Sequence, residues 1–153
     1  MKQTLQLWTI ISFVTALSSC GQIKTNDNPS QAGNSFTIDT FSTFPPEVDG
    51  CACYFSNNET EFNSKKKYIY ADDYGNNAFV SINGVMTKFT LSKSDTLPGK
   101  HSIELWINDK FELTIDIQQV GQIDETWQQQ GTLKLKSKDG QSITKNIYGE
   151  CGC

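Results

Sequence analysis

The sequence AFVSINGVMTKFTL, residues 78–91, decides the fold expected for this chain. Two segments rich in β-branched and aromatic residues, 78–82 and 85–91, flank the dipeptide Asn83-Gly84. Asparagine followed by glycine tolerates the positive φ angles that a two-residue type I′ turn requires. The stretch therefore predicts a β-hairpin.

Two further hairpins are predicted downstream. The first joins residues 101–107 to residues 111–117, and the second joins residues 131–137 to residues 141–148. In both, apolar and polar residues alternate with a period of two, which is typical of strands with one buried and one solvated face. Residues 118–130, between these hairpins, carry no pattern that assigns them to an element.

Shorter strands are predicted at residues 36–40, 51–55 and 67–71, and residues 56–64 and 92–100 are predicted to be loops. About eight short strands joined largely by hairpins indicate an all-β domain. Because such strands pair in sequence order, we favour a small antiparallel barrel, closed or nearly closed. A two-sheet sandwich is the alternative.

The N-terminus carries a different kind of signal. Lys2 gives the first six residues a positive charge, and residues 7–17 are mostly apolar. Eleven residues are too few to cross a hydrocarbon core of about 30 Å, so this run predicts an export signal rather than a membrane span. It ends in Leu17-Ser18-Ser19-Cys20, which resembles the lipobox of bacterial lipoproteins.

This resemblance implies that residues 1–19 are a signal peptide and that the Cys20 thiol carries lipid, including palmitate. The mature chain would then begin at Cys20 and be held at a membrane of the cell envelope. Enteric lipoproteins retained in the inner membrane carry aspartate at the next position, so Gly21 favours the outer membrane. Residues 20–34 are polar and are predicted to be a flexible tether. Residues 35–153 have the size of a single domain.

Four cysteines remain in this domain, as Cys51-Ala52-Cys53 and Cys151-Gly152-Cys153. An even number in an exported domain predicts two disulfides. Residues two apart on a strand point to the same face, so two such pairs on adjacent strands can form two rungs. Antiparallel strands would give Cys51–Cys153 and Cys53–Cys151, parallel strands would give Cys51–Cys151 and Cys53–Cys153, and local bridges are a third option. Zinc or copper(I) bound by the four thiolates is less favoured, because structural zinc sites space their ligands more widely.

Composition argues against several classes of function. The formal net charge is −4 and the chain contains no arginine, which argues against nucleic acid as a partner. His101 is the single histidine, so a site built from several histidines is excluded. Asp72 and Asp73 are predicted to form a turn rather than a calcium site. No catalytic motif occurs, and we expect no catalytic residue, no metal and no cofactor.

Aromatic residues on polar faces are the candidate ligand contacts. Trp106 shares one strand face with Glu104, and the other face carries three aliphatic residues between positions 103 and 107. If these aliphatic side chains fill the core, the Trp106 indole points outward and can contact a carbohydrate or a protein. The alternative is that the barrel wall partly buries the indole. Tyr68 and Tyr70 are further candidates.

The expected function is that of a non-enzymatic envelope lipoprotein, anchored by its N-terminal lipid, whose β domain binds an envelope or external ligand. In broad plan the chain resembles the small membrane-bound lysozyme inhibitors, which are also lipid-anchored β-barrels with a disulfide. The inhibitory motif of that family is absent here, so no inhibitory residue is carried over. The other hypotheses are a structural subunit of an envelope complex, and a metal-binding protein or small hydrolase that uses the four cysteines or His101.

Overall fold

The computed structural model describes residues 35–153 of the 153-residue chain. Within this range nine antiparallel strands form one sheet, and the helical structure is a single π-helical turn, Glu61–Lys65. No helix in the same range is long and apolar enough to cross a membrane. The strands are β1 (Ile38–Asp39), β2 (Ala52–Ser56), β3 (Tyr70–Asp72), β4 (Asn77–Ile82), β5 (Val85–Leu97), β6 (His101–Ile107), β7 (Phe111–Ile123), β8 (Thr126–Ser137) and β9 (Ser142–Gly152).

Eight of these strands, β2 to β9, close into a barrel. Each strand pairs with the next one in sequence, and β9 pairs back with β2. The predicted all-β class and closed meander are therefore confirmed, and the sandwich is excluded. The three predicted hairpins are β4–β5, β6–β7 and β8–β9. Asn83 and Gly84 have φ angles of 50° and 76°, as a type I′ turn requires.

The predicted loop at residues 92–100 is wrong. Strand β5 continues to Leu97, and only residues 98–100 form the turn. The pairing of β5 with β6 shifts by one residue between Leu91 and Lys93, which is a β-bulge. A bulge interrupts the period of two while the backbone stays extended, so the sequence pattern is lost where the strand is not.

The unassigned residues 118–130 are the outer arms of β7 and β8, which turn at Asp124 and Glu125. A second register shift lies between Gln119 and Gly121. Glutamines occupy both arms, so no apolar alternation marks these residues as strands. The arms extend the barrel wall beyond the apolar core.

The barrel has a closed end, which holds the β4–β5, β6–β7 and β8–β9 turns. Phe36 fills this end and packs edge-on against Phe111, with ring centroids 5.1 Å apart. Strand β1 follows directly and pairs with the last residues of β4, Ile82 and Ser81. The barrel interior from this end to its middle is apolar and buried. Its large side chains are Phe55, Ile69, Tyr70, Val80, Phe89, Trp106, Leu113, Ile115, Leu133, Leu135 and Ile147.

Two disulfides lie at the opposite, open end of the barrel, where β2 begins and β9 ends. They join Cys51 to Cys153 and Cys53 to Cys151, which is the pairing predicted for antiparallel strands. Cys53 and Cys151 are directly opposite each other in the β2–β9 pair. Because all four sulfur atoms are bonded, none of these residues offers a thiolate for zinc or copper.

A second group of aromatic side chains, the outer aromatic cluster, covers the outside of the barrel over β2 and β9. Tyr54 stacks on Phe62 with ring centroids 5.6 Å apart, and its hydroxyl donates a hydrogen bond to Glu150. The cluster attaches the segment that follows β1 and the π-helical turn to the barrel wall. Its members are Phe41, Phe44, Tyr54, Phe62, Tyr68 and Tyr148.

Candidate ligand-binding cavity

A cavity of about 480 Å³ occupies the open end of the barrel. This volume lies within the range of about 300–1,000 Å³ that is typical of small-molecule sites. Seven of the eight barrel strands and the β3–β4 turn contribute to its walls. The lining residues are Cys53, Asp72, Tyr74, Gly75, Leu91, Ser94, Thr96, Ser102, Glu104, Trp106, Ile117, Gln119, Trp127, Gln129 and Cys151.

The cavity exists because the inward side chains of β5 and β6 become short towards the open end. Ser94 and Thr96 of β5 face inward there, opposite inward residues of β6. The bulge after Leu91 makes this possible, since an uninterrupted alternation would have pointed Lys93 and Asp95 inward. The bulge therefore replaces two charged side chains in the cavity by two small hydroxyl-bearing ones.

Trp106 forms part of the cavity floor, so the outward orientation is wrong and the alternative, burial by the barrel wall, is confirmed. Its exposed fraction is 2%, whereas the aliphatic Ile107 next to it is 41% exposed. Residues directly opposite each other on paired strands share a face, and Trp106 lies opposite the fully buried Leu113 of β7. The apolar series of β7 thus turns the tryptophan face of β6 inward, and the aliphatic face of β6 outward.

Glu104 points inward with Trp106 because the two residues are two apart on β6. The Trp106 Nε1 donates a hydrogen bond of 3.1 Å to Glu104 Oε2. Glu104 Oε1 accepts no hydrogen bond from the described residues. Every fully buried side-chain oxygen within residues 35–153 has a hydrogen-bond partner, so Oε1 is not fully buried. The Oε1 atom is therefore accessible from the cavity.

Asp72, at the end of β3, is the second carboxylate of the cavity and is 4% exposed. Its Oδ1 accepts hydrogen bonds from the backbone N–H groups of Cys53, at 3.0 Å, and Tyr74, at 2.8 Å. Its Oδ2 accepts a hydrogen bond of 2.9 Å from the Tyr70 hydroxyl. Both oxygens are thus held by the protein, and the carboxylate has a fixed position.

Burial makes both carboxylates weaker acids. Removal from water raises the pKa of Asp72, although the hydrogen bonds from Cys53, Tyr74 and Tyr70 oppose the shift. Burial raises the pKa of Glu104 as well, and the negative charge of Asp72 raises it further, while the Trp106 hydrogen bond lowers it. The Glu104 carboxyl group is therefore close enough to Asp72 for the charge of Asp72 to affect its pKa.

The outer arms of β7 and β8 add amide and indole groups near the opening. Gln119 lies opposite Gln129, and Trp127 lies opposite Cys151 of β9. All four line the cavity. The open end thus combines an aromatic surface with amide donors and acceptors.

The residues that sequence analysis proposed as ligand contacts lie in different places. Trp106 lines the cavity, and Tyr70 lies below it, fully buried, with its hydroxyl bonded to Asp72. Tyr68 is 7% exposed and belongs to the outer aromatic cluster, because the backbone bends at Ile69 and separates the two tyrosines. Cys20, the predicted lipidation site, lies outside the described residues, as do the predicted signal peptide and tether.

His101 lies on the outer surface. Its Nε2 is 2.6 Å from Asp116 Oδ1, a residue of β7 that faces away from the core. The pair is therefore separated from the cavity by the barrel wall. Asp73 accepts hydrogen bonds from the backbone N–H groups of Gly75 and Asn77, which is the turn role that the sequence predicts.

Sequence analysis did not identify Glu104, Asp72, Trp127 or the inward glutamines as site residues. The inward face of a strand is recognised in a sequence by its apolar residues. Polar side chains that line a cavity interrupt this apolar alternation, so the sequence pattern does not show that they face inward. The one available signal was Glu104 beside Trp106 on the same strand face.

No family model matches this chain, and no curated protein and no solved structure matches it significantly.

Proposed function

We propose that this protein is a lipid-anchored lipoprotein of the bacterial envelope, and that its barrel binds a small ligand in the cavity at the open end. The observation that carries the proposal is the cavity itself, which combines a volume suited to a small molecule with two carboxylates and two indoles. The lipobox supports the anchor, and the two disulfides fit an oxidising compartment.

The position of the first described residues supports an accessible ligand site. Phe36 fills the closed end, and the carbonyl of Thr37 accepts a hydrogen bond from the backbone of Asn83 in the β4–β5 turn. The first described residues therefore do not block the opening of the cavity, which lies at the other end of the barrel.

Binding fits the cavity better than catalysis does. Three hydrogen bonds from the protein hold both oxygens of Asp72 in place, so this carboxylate is suited to a fixed negative charge beside a ligand rather than to attack on a substrate. Glu104 has one accessible oxygen, but a single acid leaves the second role of an acid–base pair unfilled. His101 points away from the cavity.

Two measurements on the protein from bacterial envelopes test the proposal. For the anchor, we expect incorporation of a palmitate analogue and recovery in the membrane fraction, both lost in Cys20→Ala. An unmodified N-terminus in the mature wild-type protein would exclude the anchor.

For the cavity, native mass spectrometry of the purified protein should reveal a bound small molecule. Ser102→Phe, or the milder Ser94→Leu, should lose it by filling the cavity, whereas Ser142→Phe on the exposed start of β9 should retain it. Thermal melting confirms that the variants are folded. A bound molecule that folded cavity variants retain would place the site elsewhere and overturn the proposal.

A further inference from the structure

The charges that line the cavity are all negative. Its charged side chains are the carboxylates of Asp72 and Glu104, and no lysine or histidine is among the lining residues. The nearby Asp73 adds a further negative charge that acts on Asp72. The buried carboxylate of Asp72 and the half-buried carboxylate of Glu104 therefore have no cationic partner within the cavity.

Unpaired carboxylates that burial removes from water are costly to ionise, and both side chains show this cost as a raised pKa. A cation placed beside them would offset it, because opposite charges attract more strongly where water is excluded. The accessible Glu104 Oε1 supplies the free hydrogen-bond acceptor for such a cation. Asp72 supplies a fixed second charge.

The remaining surface suits the body of an organic molecule rather than a hydrated metal ion. Trp106 and Trp127 offer aromatic surface, and aromatic faces attract cations as well as apolar groups. Ser94, Thr96 and Gln129 offer hydroxyl and amide groups. No group of three or more metal-ligating side chains occurs in the described part of the chain.

We propose that the cavity binds an organic amine, whose ammonium group contacts Glu104 and Asp72 while its ring contacts Trp106 and Trp127. This inference rests on the proposed ligand-binding function and adds the chemical class of the ligand. The ring is either aromatic or a sugar ring, since both kinds of ring pack on tryptophan. The hydroxyl and amide groups of the cavity can also form hydrogen bonds with the hydroxyl groups of a sugar.

The experiment compares ligands that share a ring and differ in charge, by calorimetric titration of the purified protein. One series is tryptamine, tryptophol and indole-3-propionate, and the other is glucosamine, glucose and glucuronate. In at least one series the amine should bind at least tenfold more tightly than both analogues. The series in which it does so identifies the ring.

Glu104→Gln should weaken binding of that amine at least tenfold and leave the neutral analogue unaffected. This variant keeps an oxygen that can accept the Trp106 hydrogen bond. Glu112→Gln is the matched control, because Glu112 is exposed near the closed end and its loss changes the net charge equally.

The proposal is overturned if neither amine binds at millimolar concentration, if in neither series the amine binds at least tenfold more tightly than both analogues, or if Glu104→Gln has no effect on amine affinity. A neutral or acidic molecule found in the cavity by mass spectrometry would reject the amine while leaving the proposed ligand-binding function intact.

Discussion

At the scale of single residues, the chain keeps two carboxylates inside a barrel that could have been wholly apolar. Glu104 is held by one hydrogen bond from Trp106 and Asp72 by three donors. These contacts fix the positions of the carboxylates but do not neutralise them, because every donor is uncharged. Carboxylates that are removed from water without a positively charged partner reduce the stability of the fold, and such groups are typical of functional sites.

The raised pKa values predict how stability depends on pH. A carboxyl group whose pKa is higher in the folded than in the unfolded state stabilises the fold below the unfolded value, and this contribution is lost as pH rises through the folded value. Asp72 and Glu104 should therefore reduce the free energy of unfolding as pH rises from about 4 towards neutrality.

Glu104→Gln removes one of these contributions. We expect the variant to be more stable than the wild type at neutral pH, with a difference that shrinks towards acidic pH, as measured by urea denaturation without ligand. Glu112→Gln should follow the wild type at every pH. If Glu104→Gln instead loses stability at neutral pH, the Glu104 carboxylate makes a stabilising contact other than the hydrogen bond from Trp106.

At the scale of elements, glycines set how closely the strands of the barrel can approach. A Cβ atom at Gly149 of β9 would lie 2.0 Å from the carbonyl oxygen of Tyr54 on β2. At Gly121 of β7 the nearest atom, at 3.0 Å, is Oε1 of Gln128, the far end of a flexible side chain. The β2–β9 seam, which carries both disulfides, therefore depends on Gly149, whereas at Gly121 only a flexible side chain lies in the way of a Cβ atom.

The two glycines predict a contrast. Gly149→Ala should cost about 3 kcal/mol or more of unfolding free energy, because a backbone atom has to move. Gly121→Ala should stay within about 0.5 kcal/mol of the wild type, since Gln128 can rotate away. Urea denaturation of both variants measures the difference. Equal stability of the two variants would show that β2 and β9 can separate without cost.

At the scale of the whole molecule, the two disulfides join nearly the same ends of the domain. They span 102 and 98 residues and lie two residues apart on both strands. In the chain-entropy model, a bridge that closes a loop of about 100 residues contributes up to about 4–5 kcal/mol. The second bridge adds little, since the first has already closed the loop.

This redundancy predicts non-additive losses. Replacing either Cys51 and Cys153 or Cys53 and Cys151 by serine should cost about 1 kcal/mol. Replacing all four should cost several times more, up to about 4–5 kcal/mol. Unfolding free energies measured for the three variants test this. Additive losses would show that each bridge stabilises its own surroundings rather than the closed chain. As a check that both bridges form, the denatured mature protein should contain no free thiol from these four residues.

The sequence by itself determined the all-β class of the domain and its three hairpins. The period of two, the turn at Asn83-Gly84 and the spacing of the four cysteines are local properties, and a hairpin forms between neighbours in the chain. Strands 101–107 and 111–117 could therefore be read directly. The pairing of the four cysteines followed once the structure showed that β2 and β9 are antiparallel neighbours.

Only the tertiary structure decided which face of β6 is the inside, and with it the site. The orientation of Trp106 depends on Leu113 across the β6–β7 pair, and the inward turn of Ser94 depends on a bulge that the sequence does not mark. Both are settled by packing between strands, because a side chain is buried only when its neighbours on the adjacent strands are buried with it.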